Sequence, residues 1–126
     1  GIFKDARRDV SLFSAYRVLE MGTINGAIGM GMSDSIGSLE PGKKADFVLH
    51  DRHRPEWTPL RNVVNQLIYS ADGRGVHSVW VDGRRVVDNY RSTLIDEEKL
   101  YADVERTAGE VLARANMPTP CDWPVL

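Results

Sequence analysis

Apolar residues recur at helical spacing near the start of the chain. Leu12, Tyr16 and Leu19 stand at i, i+4 and i+7, which predicts an amphipathic helix over about 11–21. The letters "TINGAIGM" that follow Gly22 predict a second short helix, because its apolar residues again fall on one side. Side chains that typically cap helices precede these two segments, namely Asp9 or Ser11 and then Thr23.

A second helical pattern lies near the end of the chain, in "LIDEEKLYADVERTAGEVLARANM". Asp96 is suited to cap this helix, and Glu97 and Glu98 stand in its first turn, where the helix dipole favours acids. The apolar residues of this segment repeat at helical spacing and predict a buried stripe. That stripe consists of Leu100, Val104, Ala108, Val111 and Leu112.

Shorter elements are predicted between these helices. Pro41-Gly42 in "LEPGKK" favours a type II turn, and the apolar run after it predicts a strand over about 45–50. The letters "RHRPEWTPLRN" predict a loop in which Trp57 anchors against apolar neighbours. The letters "VVNQLIYSADG" predict a short helix that ends at Asp72-Gly73.

The clearest local signal is "VHSVWVDGRRVVD", in which Asp82-Gly83 separates two β-rich runs. This pattern is typical of a two-residue hairpin with a type I′ turn. The predicted register pairs Val81 with Arg84, Trp80 with Arg85 and Val79 with Val86. One face would carry Val79, Val81 and Val86, and the other Val76, Trp80 and Val87. A hairpin that is apolar on both faces needs cover on both sides and further strands to pair with, and the sequence predicts only one other strand.

Composition and charge change this picture little. The chain has 126 residues, of which 42% are hydrophobic and 27% charged, and its formal net charge is -2. These values indicate a globular protein and no partner among nucleic acids or acidic membrane surfaces. The single cysteine, Cys121, excludes an internal disulfide framework, and no apolar run approaches the about 18 residues of a membrane span. We therefore expect a cytoplasmic protein.

Three histidines are the first candidates for chemistry. His50 and His53 form an H-x-x-H at the end of the predicted strand, with Asp46 and Asp51 as the acids nearby. A zinc site needs three or four ligands, so the plainer interpretation ends a strand at His50 and leaves His53 in a solvated loop. His77 has no companion acid in sequence and is interpreted as a structural or half-exposed residue.

Other candidates are weaker. Cys121 has no basic neighbour to lower its pKa, and no G-x-S-x-G elbow is present. The glycine-rich "GAIGMGMSDSIGS" follows a helical pattern and lacks the lysine of a phosphate loop. Lys43 and Lys44 are interpreted as a solvated turn, with an anion site as the alternative. Arg84 and Arg85 alone do not make a nucleic-acid surface. The sequence thus predicts no catalytic, cofactor-binding or metal-ligating residue in this chain.

Several consecutive motifs resemble the carboxy-terminal region of metal-dependent amidohydrolases. They are "LEMGTINGAIGMGMSDSIGSLEPGKKADFVLHD", "WTPLRNVVNQLIYSADGRGVHSVWVDGRRVV" and "TLIDEEKLYADV". The resemblance covers about residues 11–126 and is nearest to cytosine-deaminase-like and chlorohydrolase-like enzymes. Such enzymes hydrolyse C–N or C–halogen bonds of cyclic or aryl substrates.

The resemblance implies a catalytic barrel whose zinc or iron ligands lie upstream of the matched region. Those ligands include an H-x-H pair, which this sequence lacks, and an aspartate within G-T-D. The lead-in "GIFKDARRDV" contains Asp5 and Asp9 but not that motif, so no metal ligand is assigned here.

The resemblance also implies an α+β segment with two parts. Residues 1–35 would be a lead-in and helices that complete a (β/α)₈ barrel. Residues 36–126 would supply a strand, the Asp-Gly hairpin and a terminal helix to a composite β-sandwich. The missing partners would be amino-terminal strands and the barrel, and without them the open strand edges would favour self-association.

Three functions are therefore considered. The first is the non-catalytic carboxy-terminal segment of an amidohydrolase, inactive alone. The second is an interaction module, or a subunit that completes a separate barrel chain. The third is a small stand-alone enzyme that uses His50, His53 and Asp46.

Overall fold

A computed structural model of the chain describes residues 13–117, which fall into two compact units. One unit ends at Thr93 and the other begins at Leu94. The first contains helices α1 (Ala15–Gly22), α2 (Ile24–Gly29) and α3 (Val63–Tyr69), a 3₁₀ turn at Pro55–Trp57 and four strands. The strands are β1 (Phe47–His50), β2 (Val76–Val81), β3 (Arg84–Asp88) and β4 (Arg91–Ser92). The second unit contains helix α4 (Glu97–Ala115).

The helix predictions are confirmed in kind, and Asp96 caps α4 as predicted, but several ends of the other helices differ. Helix α1 begins at Ala15, and the Ser14 hydroxyl caps it by accepting a hydrogen bond from the Arg17 amide at 3.4 Å. The predicted caps Asp9 and Ser11 lie outside the described residues. Thr23 precedes α2, but its hydroxyl donates to the Leu19 carbonyl at 2.7 Å instead of capping α2.

Helix α3 begins after Asn62, whose side chain accepts a hydrogen bond from the Asn65 amide at 2.9 Å. It ends at Tyr69, earlier than the predicted stop at Asp72-Gly73. Two side-chain hydrogen bonds join the two ends of α3 to the region of α1. Asn62 donates to the Tyr16 hydroxyl at 3.0 Å, and the Tyr69 hydroxyl donates to the Phe13 carbonyl at 3.3 Å.

The four strands form one antiparallel sheet in the order β1-β2-β3-β4. The hairpin turn is confirmed as type I′, because Asp82 and Gly83 both have positive φ, at 50° and 76°. The predicted pairs of Val81 with Arg84 and Trp80 with Arg85 are also confirmed.

The predicted pair of Val79 with Val86 is wrong. The register shifts between Val79 and Trp80, so that Val79 lies opposite Val87. Because paired residues share a face of the sheet, Val87 lies on the face of Val79. The Thr93 amide donates to the Val86 carbonyl at 3.0 Å next to this irregularity. Such a bulge depends on a neighbouring segment, which the local pattern of alternation does not report.

Few large side chains are buried in the described residues. Trp57 is 3% exposed, which confirms its predicted anchoring, and Ala15 and Ala27 are also buried. Leu39, in the stretch before Pro41-Gly42, is 72% exposed. The predicted burial of the stripe on α4 is wrong, because no residue of that helix is buried. The helical spacing gave the stripe correctly, but burial also requires a covering surface.

Candidate functional site: an anchored hairpin tip and an apolar cleft

Three consecutive residues, Lys44, Ala45 and Asp46, hold the tip of the β2–β3 hairpin. The Gly83 amide donates to the Ala45 carbonyl at 3.1 Å, and the Asp82 amide donates to the Asp46 carboxylate at 2.5 Å. The Lys44 ammonium lies 2.7 Å from the Asp82 carboxylate. Its hydrogen bond and attraction to that carboxylate raise the pKa of Lys44. We call these contacts the hairpin anchor.

The two lysines of the predicted solvated turn differ in exposure. The Lys44 side chain is 42% exposed, as that interpretation requires, whereas the Lys43 side chain is 19% exposed. Lys44 pairs with Asp82, while the Lys43 ammonium donates to the Ser38 hydroxyl at 2.7 Å and lies 3.6 Å from the Glu40 carboxylate. The hydrogen bond from Ser38, followed by the charge of Lys43, lowers the pKa of Glu40. Both ammonium groups therefore already have carboxylate neighbours, which disfavours the alternative of an anion site.

The type II turn predicted in the same stretch is confirmed. Gly42 has a φ of 94°, which is readily adopted only by glycine, and the Lys43 amide donates to the Glu40 carbonyl at 3.1 Å. The turn reverses the chain so that Lys44–Asp46 reach the hairpin tip.

The three residues of the stand-alone enzyme hypothesis are not brought together as a metal site. Asp46 is occupied in the hairpin anchor, His50 ends β1, and the His53 side chain is 99% exposed. Within residues 13–117, no group of three or more His, Cys, Asp or Glu is placed to hold a metal ion. These residues do not fit the zinc or iron expected for the family, and no catalytic step is assigned to them.

The remaining candidates are structural in their contacts or lie outside the described residues. The His77 ring nitrogen Nδ1 lies 2.7 Å from the Ser78 hydroxyl, and its ring packs edge-on against Tyr90 at 5.1 Å. The Arg85 guanidinium lies 3.1 Å from Asp88 and 5.9 Å above the Trp80 ring. The candidates outside the described residues are Asp5, Asp9 and Cys121.

A polar cluster at one end of the sheet was not predicted. The Tyr90 hydroxyl donates to the Asp51 carboxylate at 2.8 Å, and the His53 amide donates to the same carboxylate at 2.9 Å. These bonds, the amide first, lower the pKa of Asp51, and the Asp51 carboxylate raises the pKa of Tyr90. Arg54 lies over the Tyr90 ring at 5.8 Å and pairs with Glu56 at 3.1 Å, a contact that raises the pKa of Arg54.

No sequence signal indicated this cluster, because Asp51 and Tyr90 are 39 positions apart. Tyr90 has a φ of 66° and follows Asn89 at 47°, so the β3–β4 turn also has two residues with positive φ. Asn-Tyr is not a usual signature for such a turn. The cluster joins the loop after β1 to this turn, and its chemistry is that of a structural network.

An apolar cleft of about 700 Å³ lies in the first unit, between its helices and β1. Its apolar lining includes Leu19, Ala27, Met30, Ile36, Val48 and Leu67. His50 stands at its margin, and its Nδ1 atom is buried without a hydrogen-bond partner in the described residues. The ring of Trp57 lies 5.7 Å from that of His50. The indole Nε1 atom of Trp57 is also buried without a hydrogen-bond partner in the described residues. This arrangement can hold apolar side chains and a few polar atoms.

The sheet beside the cleft is apolar on both faces. Phe47 stacks on Trp80 on one face at 4.6 Å, while Val48 pairs with Val79 on the other. Val48 and Leu49 are 47% and 49% exposed, and they stand on opposite faces of β1. A sheet that is apolar on both faces is suited to contact with further layers on both sides.

The stretch that contains the two short helices, the Pro41-Gly42 turn and the anchored hairpin matches a known protein family. The model of the Amidohydrolase family matches residues 3–86, which is more than half of the chain. The protein therefore belongs to the amidohydrolase family.

Individual relatives agree with this assignment. The chain is 44% identical over 102 residues to a 5′-deoxyadenosine deaminase of Methanosarcina acetivorans, covering 81% of this chain and 23% of that protein. It superimposes on an adenosine deaminase from Xanthomonas campestris with bound zinc at a TM-score of 0.80 and 32% identity, covering 87% of this chain and 25% of the other. The zinc complex of an atrazine chlorohydrolase from Arthrobacter aurescens gives a TM-score of 0.66 at 28% identity, covering 74% of this chain and 20% of the other.

The chain thus spans about a quarter of the length of the curated relatives that it matches. Its mixed helix and sheet fold is that of the corresponding part of the solved enzymes. These enzymes are named as deaminases and hydrolases, and two of those compared carry zinc. Iron, the other metal expected for the family, stays a prediction. None of the helices within residues 13–117 is long and apolar enough to cross a membrane.

Proposed function

We propose that this chain is the non-catalytic carboxy-terminal segment of an amidohydrolase that acts on non-peptide C–N or C–halogen bonds of cyclic or aryl substrates. In this proposal α1 and α2 complete the outer layer of a (β/α)₈ barrel. The four-stranded sheet joins further strands in a β-sandwich beside the barrel. The segment is inactive alone, and the barrel supplies the metal and its ligands.

The observation that carries the proposal is the apolar character of both faces of the sheet. Val48, Leu49 and Val81 are each about half exposed, at 47%, 49% and 50%. Apolar side chains exposed on both faces of a sheet favour contacts with other parts of a protein. The remaining three quarters of the relatives' length offer such a part, since this chain covers 23% to 27% of them.

The substrate class rests on the names of the relatives. They include deaminases of adenosine compounds and an atrazine chlorohydrolase. Both kinds of name describe the removal of a substituent, an amino group or chlorine, from a nitrogen-containing ring. We therefore propose a ring of this kind, with an amino or chloro substituent, as the substrate of the complete enzyme.

A chimera provides the test. The matched quarter of the Methanosarcina acetivorans deaminase is replaced by this chain, and activity on 5′-deoxyadenosine is measured with zinc present. We expect the chimera to retain activity, and the isolated chain with zinc to show none. Turnover by the isolated chain would overturn the proposal, as would a chimera that folds, binds zinc and has no activity.

A double variant of the chimera separates a structural role from a catalytic one. Replacing His50 and His53 together by alanine should leave the turnover number within about 2-fold, because neither side chain is placed at a metal site. The stand-alone enzyme hypothesis predicts a loss of about 100-fold or more from these same changes. Thermal unfolding of each variant checks that it folds correctly, with the Xanthomonas campestris adenosine deaminase as the reference.

A second candidate function is an interaction module, or a subunit that completes a separate barrel chain. It is favoured by β1, which forms one edge of the sheet and contains neither proline nor a lysine. The opposite edge is the two-residue strand β4, which begins with Arg91. Val48→Lys should block strand addition at β1, and a variant that self-associates as before in sedimentation would exclude this edge as the interface.

A further inference from the structure

The tripeptide Asp-Gly-Arg occurs twice in the chain, at residues 72–74 and 82–84. Both glycines have positive φ, 87° at Gly73 and 76° at Gly83. An aspartate that precedes glycine rearranges readily, because glycine has no side chain to hinder attack by its amide nitrogen on the aspartyl carboxyl carbon. The two copies share their sequence and the sign of φ at glycine, so a difference in reactivity between them would reflect their surroundings.

The reacting groups at Asp82-Gly83 are held by the hairpin anchor. The Gly83 amide, whose nitrogen would be the nucleophile, donates to the Ala45 carbonyl at 3.1 Å. The Asp82 carboxylate, whose carbon would be attacked, lies 2.7 Å from the Lys44 ammonium. Closing a ring between nitrogen and carboxyl carbon removes both contacts, because the nitrogen loses its hydrogen and the carboxylate loses its charge.

The same groups at Asp72-Gly73 are not held in this way. Within residues 13–117, the Gly73 amide has no hydrogen-bond acceptor. The Asp72 carboxylate accepts a hydrogen bond from the Arg74 amide at 3.1 Å, which folds the carboxylate back over the peptide that joins Asp72 to Gly73. Its ion pair with the Arg74 guanidinium joins two side chains that are 49% and 81% exposed, and such surface pairs contribute little.

We propose that Asp72 is a site of isoaspartate formation, and that the hairpin anchor protects Asp82 in the identical tripeptide. In the first step the Gly73 nitrogen forms a bond to the Asp72 Cγ atom. The C–OH bond of the protonated carboxyl group breaks, and the hydroxyl group leaves with the amide hydrogen as water. In the second step water adds to the backbone carbonyl carbon of the succinimide and breaks its bond to nitrogen. The peptide link then runs through Cγ, the backbone carbonyl has become a free carboxyl group, and the mass of the chain is unchanged.

Solvent exposure alone predicts the opposite order of reactivity. The Asp82 side chain is 63% exposed and the Asp72 side chain 49%. A reaction governed by exposure would therefore be at least as fast at Asp82 as at Asp72. The inference is independent of the proposed function, because it uses no residue of a metal or substrate site.

Peptide mapping of the whole chain, incubated in mildly acidic buffer below its unfolding temperature, tests the proposal. Trypsin cleaves after arginine, so the two sites fall on separate peptides, residues 62–74 and 75–84. Electron-transfer fragmentation distinguishes isoaspartate from aspartate in each peptide. We expect isoaspartate to form about 10-fold faster at Asp72, since two contacts of roughly the strength of an ordinary hydrogen bond oppose the reaction at Asp82.

The same measurement in concentrated urea provides the control. Both sites should then react at equal rates, because unfolding removes the hairpin anchor and leaves the same tripeptide. Equal rates in the folded chain, or a faster reaction at Asp82, would overturn the proposal. A difference that persists in urea would also overturn it, because the cause would be the neighbouring residues in the sequence and not the fold.

Asp46→Ala tests the protection directly. It removes the acceptor of the Asp82 amide and should raise isoaspartate formation at Asp82 about 5-fold, while Asp72 in the same molecules is unchanged. The matched control Asp103→Ala, in α4, should change neither site. Circular dichroism checks that each variant is folded. An unchanged rate at Asp82, or an equal increase at both sites, would contradict protection by the hairpin anchor.

Discussion

Strong local sequence patterns predict both the hairpin tip and helix α4, but the polar contacts of the two elements join residues at very different separations in the sequence. At the tip, Lys44 and Asp46 contact Asp82 across 38 and 36 positions of the sequence. In α4, Asp96 caps the Lys99 amide three positions away, and Arg106 pairs with Glu110 at four. A local signal is enough to start a turn or a helix. The fixed position of that element in a fold depends on contacts from elsewhere in the chain.

The largest contrast between the two units is expected for aromatic side chains. Trp57→Ala should lower the free energy of unfolding of the first unit by about 3–5 kcal/mol, because the indole is 3% exposed. Tyr101 in α4 is 60% exposed, so Tyr101→Ala should change the free energy of unfolding of the second unit by no more than about 0.5 kcal/mol. Urea unfolding followed by tryptophan fluorescence and circular dichroism measures both. Equal effects would remove the contrast.

Glycine substitutions should have opposite signs in the two units. A Cβ atom on Gly37 would lie 2.7 Å from the Ala27 Cβ atom, and φ is 94°, so Gly37→Ala should cost about 2–4 kcal/mol. Gly109 lies inside α4 with nothing within 4 Å of its added Cβ atom. Gly109→Ala should therefore stabilise the helix by about 1 kcal/mol. Thermal unfolding of both variants gives the signs, and a neutral Gly37→Ala would show that this packing is loose.

The hairpin anchor should contribute less than the core. Asp46→Ala removes the acceptor of the Asp82 amide and should destabilise the first unit by about 1 kcal/mol. Asp103→Ala in α4 removes a surface pair with Arg106 and should cost about 0.3–0.5 kcal/mol. Amide hydrogen exchange at Asp82 and Gly83 provides a local measurement. Faster exchange is expected in Asp46→Ala alone, and unchanged exchange would exclude the anchor.

The smallest expected effect is a pH dependence from Asp51. Its pKa in the folded protein is lowered below the ordinary 3.8 by hydrogen bonds from the His53 amide and the Tyr90 hydroxyl. The unfolded chain therefore binds a proton more readily, so this stabilisation is present above pH 3.8 and is lost as the pH falls through the folded-state pKa. Asp51→Asn should flatten the acid limb of stability against pH, and Tyr90→Phe should flatten it in part. An unchanged acid limb in both variants would contradict this assignment.

The sequence predicted those features that depend on near neighbours. Asp82-Gly83 fixed the type I′ turn because few residues accept two positive φ values, and Asp96 marked the start of α4 through its own side chain. The bulge that pairs Val79 with Val87 was missed, since it depends on how a neighbouring segment packs. The same limit explains why the ion pair of Lys44 with Asp82 and the exposure of the apolar stripe on α4 were missed, since both depend on residues distant in sequence. The predicted boundary between residues 35 and 36 stays a prediction.

The hairpin anchor has a consequence for how the length of the chain can vary. Ala45 and Asp46 are fastened to Asp82 and Gly83, so the residues between them form a ring that is closed without a covalent link. The entropy of closing a flexible ring rises only with the logarithm of its size, by about 0.6 kcal/mol for each doubling. Extra residues inserted at the exposed position between Leu60 and Arg61 should therefore be accommodated without breaking the hydrogen bonds of the hairpin anchor. We expect such insertions to leave the sheet unchanged.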